Sequence, residues 1–159
     1  MKKLTYENKL QKLKEATLRK EARLKKRLAL TKVKRPGTRK LKKDLWKLVS
    51  KYVRTLEPNC YTCGKYLPKF SEREAGHYWT QGGHKPTVFD LMNVHTQCHN
   101  CNHWKSGNLA EYAARLIEDY GIDKFQDLKV RAKSNVKVEK ADLENLIQEY
   151  KSLLLTLNQ

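Results

Sequence analysis

No stretch of this sequence approaches the ~20 consecutive apolar residues that a membrane span needs. No apolar segment of the kind that forms a secretory signal follows Lys2 and Lys3 either. These absences predict a soluble protein that stays in the cytoplasm. Acids are scarce: 17 against 34 Lys/Arg in 159 residues, a net charge of +17. The imbalance is local. Residues 1–43 hold 18 Lys/Arg and only Glu7, Glu15 and Glu21, a net +15, whereas residues 44–159 are nearly neutral at +2. A basic arm of this density predicts a polyanionic partner. Cysteine is limited to four residues in two tight pairs. Without a secretory signal, that pattern excludes a disulfide framework and points to a metal in a reducing compartment.

Residues 4–30 contain neither Gly nor Pro and are rich in Leu, Ala, Lys and Glu, which favours helix by propensity. Their apolar stripe (Leu10, Leu13, Ala16, Thr17) dissolves among Lys and Arg, predicting a solvated basic helix. Pro36-Gly37 interrupts it, and 31–40 reads as a linker. Leu41, Leu45, Leu48, Tyr52 and Leu56, with Val49 and Val53 beside them, predict an amphipathic helix ending at Glu57-Pro58-Asn59. A second is expected over Leu109–Tyr120, stopped by Gly121, with Asn108 and Glu111 as a capping pair. A short helix is expected near 123–132 and a last one near 139–157. The stripe Leu143, Ile147, Tyr150, Leu154, Leu157 either packs on its own domain or pairs with a second copy as a homodimer.

Between these helices, all five histidines (77, 84, 95, 99, 103) fall within 27 residues. Cys60-x2-Cys63 and Cys98-x2-Cys101 flank this region, 34 residues apart. Each CxxC lets two thiolates reach one ion from a tight turn, and two such pairs complete a closed tetrahedral site, structural rather than catalytic. Zinc is the expected ion. The gap exceeds usual zinc-ribbon spacing, so a functional segment is inserted between the knuckles. It carries Glu74-Ala75-Gly76-His77, then Phe89-Asp90-Leu91-Met92-Asn93-Val94-His95, and Asn102-His103-Trp104-Lys105 follows the last Cys. A His ending a short strand, an Asn on the returning strand and an Asn after the final Cys form the H…N…N layout of a ββα-metal, or HNH, nuclease.

From Leu45 to about Tyr112 the chain resembles the NinG/Rap recombination endonucleases of lambdoid phages. The resemblance rests on Leu45-Trp46, Cys60-Tyr61-Thr62-Cys63-Gly64, Ala75-Gly76-His77, Phe89-Asp90-x-x-Asn93-Val94-His95, Gln97-Cys98-x-x-Cys101-Asn102 and Gly107-Asn108-x-x-Glu111-Tyr112. It implies an α+β, mostly helical fold. A ββα-metal core (41–122) with a structural four-cysteine zinc site would lie between a basic helical arm and linker (1–40) and a C-terminal helical region (123–159). It also implies a nuclease of branched recombination intermediates, such as Holliday junctions and D-loops, working in the host bacterial cytoplasm.

Phosphodiester hydrolysis needs a base to activate water and a cation to stabilise the pentacovalent phosphate. His77 is the expected base. Asn102 would hold Mg²⁺ or Mn²⁺ through its amide oxygen, and Asn93 would brace the loop that positions His77. Many family members carry an Asp directly before the catalytic His; here that residue is Gly76. Glu74, on the same strand face by the period of two, and Asp90, across the hairpin, are alternative second ligands. Lys105 is a candidate phosphate contact and His84 a candidate DNA contact. Arg19, Lys20, Arg23, Lys25, Lys26, Arg27, Lys34, Arg35, Arg39 and Lys40 would supply the grip on DNA. His95 is read as hairpin packing, and His99 and His103 as exposed, with His103 within reach of the scissile phosphate. A non-catalytic zinc DNA-binding module and a sequence-specific HNH restriction or homing nuclease are the alternative functions.

Overall fold

The computed structural model describes residues 6–30 and 36–157. It divides into two units, Met1–Pro36 and Gly37–Gln159. In the first, α1 (Tyr6–Leu30) is one helix of 25 residues. Every described side chain between Gln11 and Lys26 is exposed, as expected of a helix with no sustained apolar stripe. Leu10, Leu13 and the side chain of Arg27 lie outside what is described, as do Lys34 and Arg35 entirely.

The second unit runs α2 (Thr38–Leu56), β1 (Glu74–His77), β2 (Val94–Gln97), α3 (Leu109–Tyr120), α4 (Ile122–Lys133) and α5 (Lys140–Thr156). Short 3-10 turns cover Phe70–Glu72 and Lys85–Thr87, and a π-helical turn covers Asn100–Trp104. It is thus mostly helical, with a small two-stranded sheet. No described helix is long and apolar enough to cross a membrane.

Helix α2 starts at Thr38 with Gly37 as its N-cap. Arg39 and Lys40 therefore belong to the second unit rather than to the arm, which corrects the linker expected over 31–40. Lys40 also meets Asp44 at 2.6 Å on the exposed face of α2. The buried stripe is Leu41, Leu45, Val49 and Val53, a strict four-residue step, with Leu48 and Tyr52 on its flank. Leu56, expected in the stripe, is 51% exposed: the ~100° step per residue keeps it on the same face as Leu45 and Val49, but it is the last residue of α2.

What covers that face is α5. Leu143, Ile147 and Tyr150 pack on the α2 stripe together with Val94 of β2. The C-terminal apolar stripe is therefore used within the chain, and the free face that pairing with a second copy would require is occupied. A capping box opens α5, the Glu139 amide donating to Asp142 Oδ2 at 3.0 Å. Tyr150 Oη donates to the Phe89 carbonyl at 2.8 Å, tying α5 to the loop between the strands. Tyr112, Leu116 and Leu128 form a second cluster where α3 meets α4 across Gly121, whose φ of +85° suits a residue without Cβ.

The strands pair antiparallel in the register Glu74↔Gln97, Ala75↔Thr96, Gly76↔His95 and His77↔Val94. Glu57, just past α2, locks this hairpin to the helix. Its carboxylate meets His95 Nδ1 at 2.7 Å and accepts the Thr96 amide at 2.6 Å. His95 is buried and stacks on Tyr61 at 3.7 Å between ring centroids, which is the packing role its position suggested.

Because the α2–α5 contact is internal, Leu143→Ala should cost about 2–5 kcal/mol in chemical denaturation, with a midpoint independent of protein concentration. A midpoint that rises with concentration would show that a second copy stabilises the stripe.

Candidate functional site

The two knuckles converge. Cys60, Cys63, Cys98 and Cys101 place their sulfurs all within 4.8 Å of one another, with Cys63 and Cys98 at 3.9 Å. A tetrahedral ion with metal–sulfur bonds of about 2.3 Å needs sulfur–sulfur separations near ~3.8 Å, so the four could bind a metal such as zinc. The backbone forms the first knuckle. The Gly64 amide donates to the Cys60 carbonyl at 2.8 Å and the Cys60 amide to the Lys65 carbonyl at 2.8 Å, with Gly64 at φ +72°. Burial pushes the Cys60 thiol up, but the Thr62 hydroxyl and neighbouring sulfur and amide groups outweigh it and bring it down to about 6. Burial drives Cys63 and Cys98 the other way. A cation would hold all four as thiolates.

Asn108 was expected to cap α3. It instead sits at φ +49° with no side-chain cap bond, and its Nδ2 donates to Cys101 Sγ at 3.9 Å. Its amide thus serves the sulfur cluster, and the helix begins without a side-chain cap.

The second knuckle runs directly into the π-helical turn that carries Asn102. There Asn102 Nδ2 donates to Glu74 Oε2 at 2.7 Å. The same carboxylate meets His99 Nδ1 at 2.8 Å and His103 Nε2 at 3.1 Å. Burial raises the Glu74 carboxyl, but the Asn102 amide and the two imidazoles outweigh it and hold it below its ordinary value. A Cβ at Gly76 would lie 2.8 Å from Gln97 Cδ and 3.0 Å from Asn102 Oδ1. The space an Asp would need at this position is therefore filled by two amides. Gln97 Nε2 is committed to the Gly107 carbonyl and Thr62 Oγ1, while its buried Oε1 has no hydrogen-bond partner among the described residues.

His77 closes β1 on the opposite pleat, half-buried. Its ring stacks on Trp46 at 4.7 Å and 26°. Its Nε2 lies 3.0 Å from the Val88 carbonyl. A carbonyl only accepts, so Nε2 carries the proton and Nδ1 is left as the basic nitrogen. Burial favours the neutral ring and lowers its pKa, against the Val88 carbonyl, which raises it. Trp46 and Val88 also line a cleft of about 340 Å³ whose rim carries Lys42, Lys43 and Lys85.

Asn93 immediately precedes β2, and its fully buried side chain spans the inserted loop. It accepts the Trp79 amide at 2.7 Å and donates to the carbonyls of Trp79 and Thr87 at 3.0 and 2.9 Å. This ties both ends of the loop that follows His77.

Two expected roles are corrected. Asp90 is ion-paired with Arg131 of α4 and accepts the Met92 amide, so it is engaged away from Asn102 and Glu74. His84 Nδ1 meets the Ala132 carbonyl at 3.1 Å, and its ring lies edge-on against Trp79. It fastens the loop to α4 rather than facing solvent as a free DNA contact. Lys105 is exposed after the π-turn, beside Trp104, which is 80% exposed. The convergence of His99 and His103 on Glu74 went unread in the sequence, although a four-residue His spacing on one helical face was its available signal. The lysine-rimmed cleft had no local signal, because its lysines come from α2 and a distant loop.

A family model described as "Bacteriophage Lambda NinG protein" matches residues 1–159. The ninG protein of Salmonella phage P22 is 43% identical over 63 residues, 40% of this chain and 30% of that protein. Those of Escherichia phages 933W and lambda are 36% and 35% identical over 69 residues, 43% of this chain and 33% of theirs. The chain thus spans about a third of the length of these curated relatives. No solved structure matches it.

If the four sulfurs share one ion, Cys98→Ser should lose bound zinc and lower the unfolding temperature together, because metal affinity in such a site is folding free energy. Elemental analysis beside a thermal melt reads both; unchanged metal content would refute the shared site.

Proposed function

The chain belongs to the NinG family, and we propose that it is a metal-dependent DNA endonuclease acting on branched recombination intermediates during phage recombination. The observation that carries this reading is the state of His77. Its Nε2–H is spent on the Val88 carbonyl, burial keeps the ring neutral, and Nδ1 is the free base. A neutral imidazole with one basic nitrogen is what a general base needs, and it ends the first strand in the order strand, strand, helical turn that carries Asn93 and Asn102.

In this reading His77 Nδ1 takes the proton from the attacking water. Asn102, steered by Glu74, would present its amide oxygen to a divalent ion, which supplies charge stabilisation at the phosphate. Asn93 acts as a positioning residue by holding the loop ends. The order strand, strand, helical turn supports a ββα-metal core, with the cysteine cluster as its structural zinc site. Lys42, Lys43, Lys85 and Lys105 would meet phosphates, and exposed Trp104 offers a face on which a base can stack. The exposed Arg19, Lys20, Arg23, Lys25 and Lys26 of α1 add sequence-independent attraction.

His77→Ala should keep the fold, the zinc and junction affinity, while cleavage of a four-way junction falls by about 10²–10⁴. Near wild-type cutting by a variant that binds normally would end this mechanism. Equal loss of binding and cutting would point to a structural histidine.

The sign of the His77 shift sets the pH profile. Because its pKa is lowered, the ring is still neutral where a free imidazole near ~6.5 would be half charged. Cleavage should hold constant as pH falls to ~6.5 and decline only below it; an inflection at or above that value would contradict a buried base.

Removing residues 1–35 should make log K less steep in log salt, each lost phosphate contact changing the slope by about 0.9. An unchanged slope in filter binding would mean that the arm does not touch DNA.

A further inference from the structure

We propose that Glu74, His99 and His103 form a second metal site, selective for a first-row transition ion such as Ni²⁺, Co²⁺, Mn²⁺ or Zn²⁺ over Mg²⁺. The three ligand atoms lie within 4.8 Å of one another. Glu74 Oε1 stands 2.8 Å from His99 Nδ1, and its Oε2 stands 3.1 Å from His103 Nε2. Two ligands at right angles on an ion with bonds of about 2.1 Å are ~3 Å apart, so the carboxylate-to-imidazole spacings already match a shared ion.

The arrangement is built by the backbone. His99 and His103 are four residues apart on the turn after Cys98, with ring centroids 4.5 Å apart, and that spacing sets two imidazoles on one helical face. Glu74 reaches them from β1, its carboxylate oriented by the Asn102 amide at 2.7 Å, an outer-shell contact of the kind that fixes metal-binding carboxylates. Both histidines are more than half exposed, so an ion has a path in and keeps positions open to water or phosphate.

The donor set decides the ion. Two imidazoles and one carboxylate suit transition metals, whereas Mg²⁺ prefers oxygen and retains its waters. Ion binding here is independent of the nuclease reading; only the use of the ion in cleavage rests on it. In that use, Glu74, His99 and His103 would hold the catalytic ion and give it a transition-metal preference.

Calorimetric titration of the full-length, zinc-loaded protein with Ni²⁺ tests the site. We expect one further equivalent to bind, at least tenfold more weakly to Glu74→Gln and still more weakly to His99→Ala/His103→Ala. Cysteine-bound zinc and the melting temperature should be unchanged in both variants, and an equal concentration of Mg²⁺ should not displace Ni²⁺. Absence of a further equivalent, unaltered affinity in the double variant, or displacement by Mg²⁺ would each overturn the proposal. Junction cleavage assayed on the same samples separates the two readings. Ni²⁺ binding intact with no cleavage under any divalent ion counts against the nuclease and leaves this site standing.

Discussion

Two cysteine pairs separated by 34 residues meet in one cluster, and the placement of the inserted segment depends on that meeting. Cys60 and Cys63 sit in a loop directly after α2, and Cys98 and Cys101 directly after β2. Fixing one pair against the other fixes the end of β2 relative to α2. The Glu57 carboxylate reinforces the same junction from a few residues away, accepting the Thr96 amide and pairing with His95. Everything between the knuckles then hangs from a closed loop, which is why a two-stranded sheet of four-residue strands can be held in place. Isolated pairs of such strands are marginal in water; here one face leans on α2 and α5, and the other on the π-turn.

That sandwiching gives the hairpin two chemically different sides. Ala75 and His77 face α2, where Trp46 covers the imidazole, and the environment favours an uncharged ring. Glu74 and Gly76 face the turn that follows Cys98, where a carboxylate, two imidazoles and the Asn102 amide gather. Burial lowers the His77 pKa on one side, and on the other the Asn102 amide and the two imidazoles outweigh burial and lower that of the Glu74 carboxyl. The pleat alone separates them.

Much of this was legible in the sequence, and the parts that were not share a cause. The helix stripes of α2, α3 and α5 were readable because burial follows a local period. The cysteine cluster was readable because each pair announces itself within four residues. The positions of His77, Asn93 and Asn102 followed from their order around the knuckles. Where the reading failed, the deciding partner was remote: Arg131 claims Asp90 across 41 residues, and the Ala132 carbonyl claims His84 across 48. Asn108 failed for a local reason. Its left-handed backbone points the amide at Cys101 and away from the helix start it was expected to cap.

Gly76 shows how one absent side chain reorganises a site. With Gln97 and Asn102 packed over its α-carbon, an Asp there would have to displace a buried amide whose other atoms already hold Thr62 and Gly107. The nearest place on that strand face for a carboxylate is two residues earlier, and Glu74 stands there. Its longer side chain covers the step back along the strand and still reaches the Asn102 amide. The shift also brings the carboxylate beside the histidines at 99 and 103, which an acid at 76 would have approached from a different point on the turn. Oxygen donors alone would suit Mg²⁺; adding two imidazoles changes the class of ion the face favours. Thus with the space at Gly76 filled by two amides, the carboxylate of this strand face stands at Glu74, beside the two histidines.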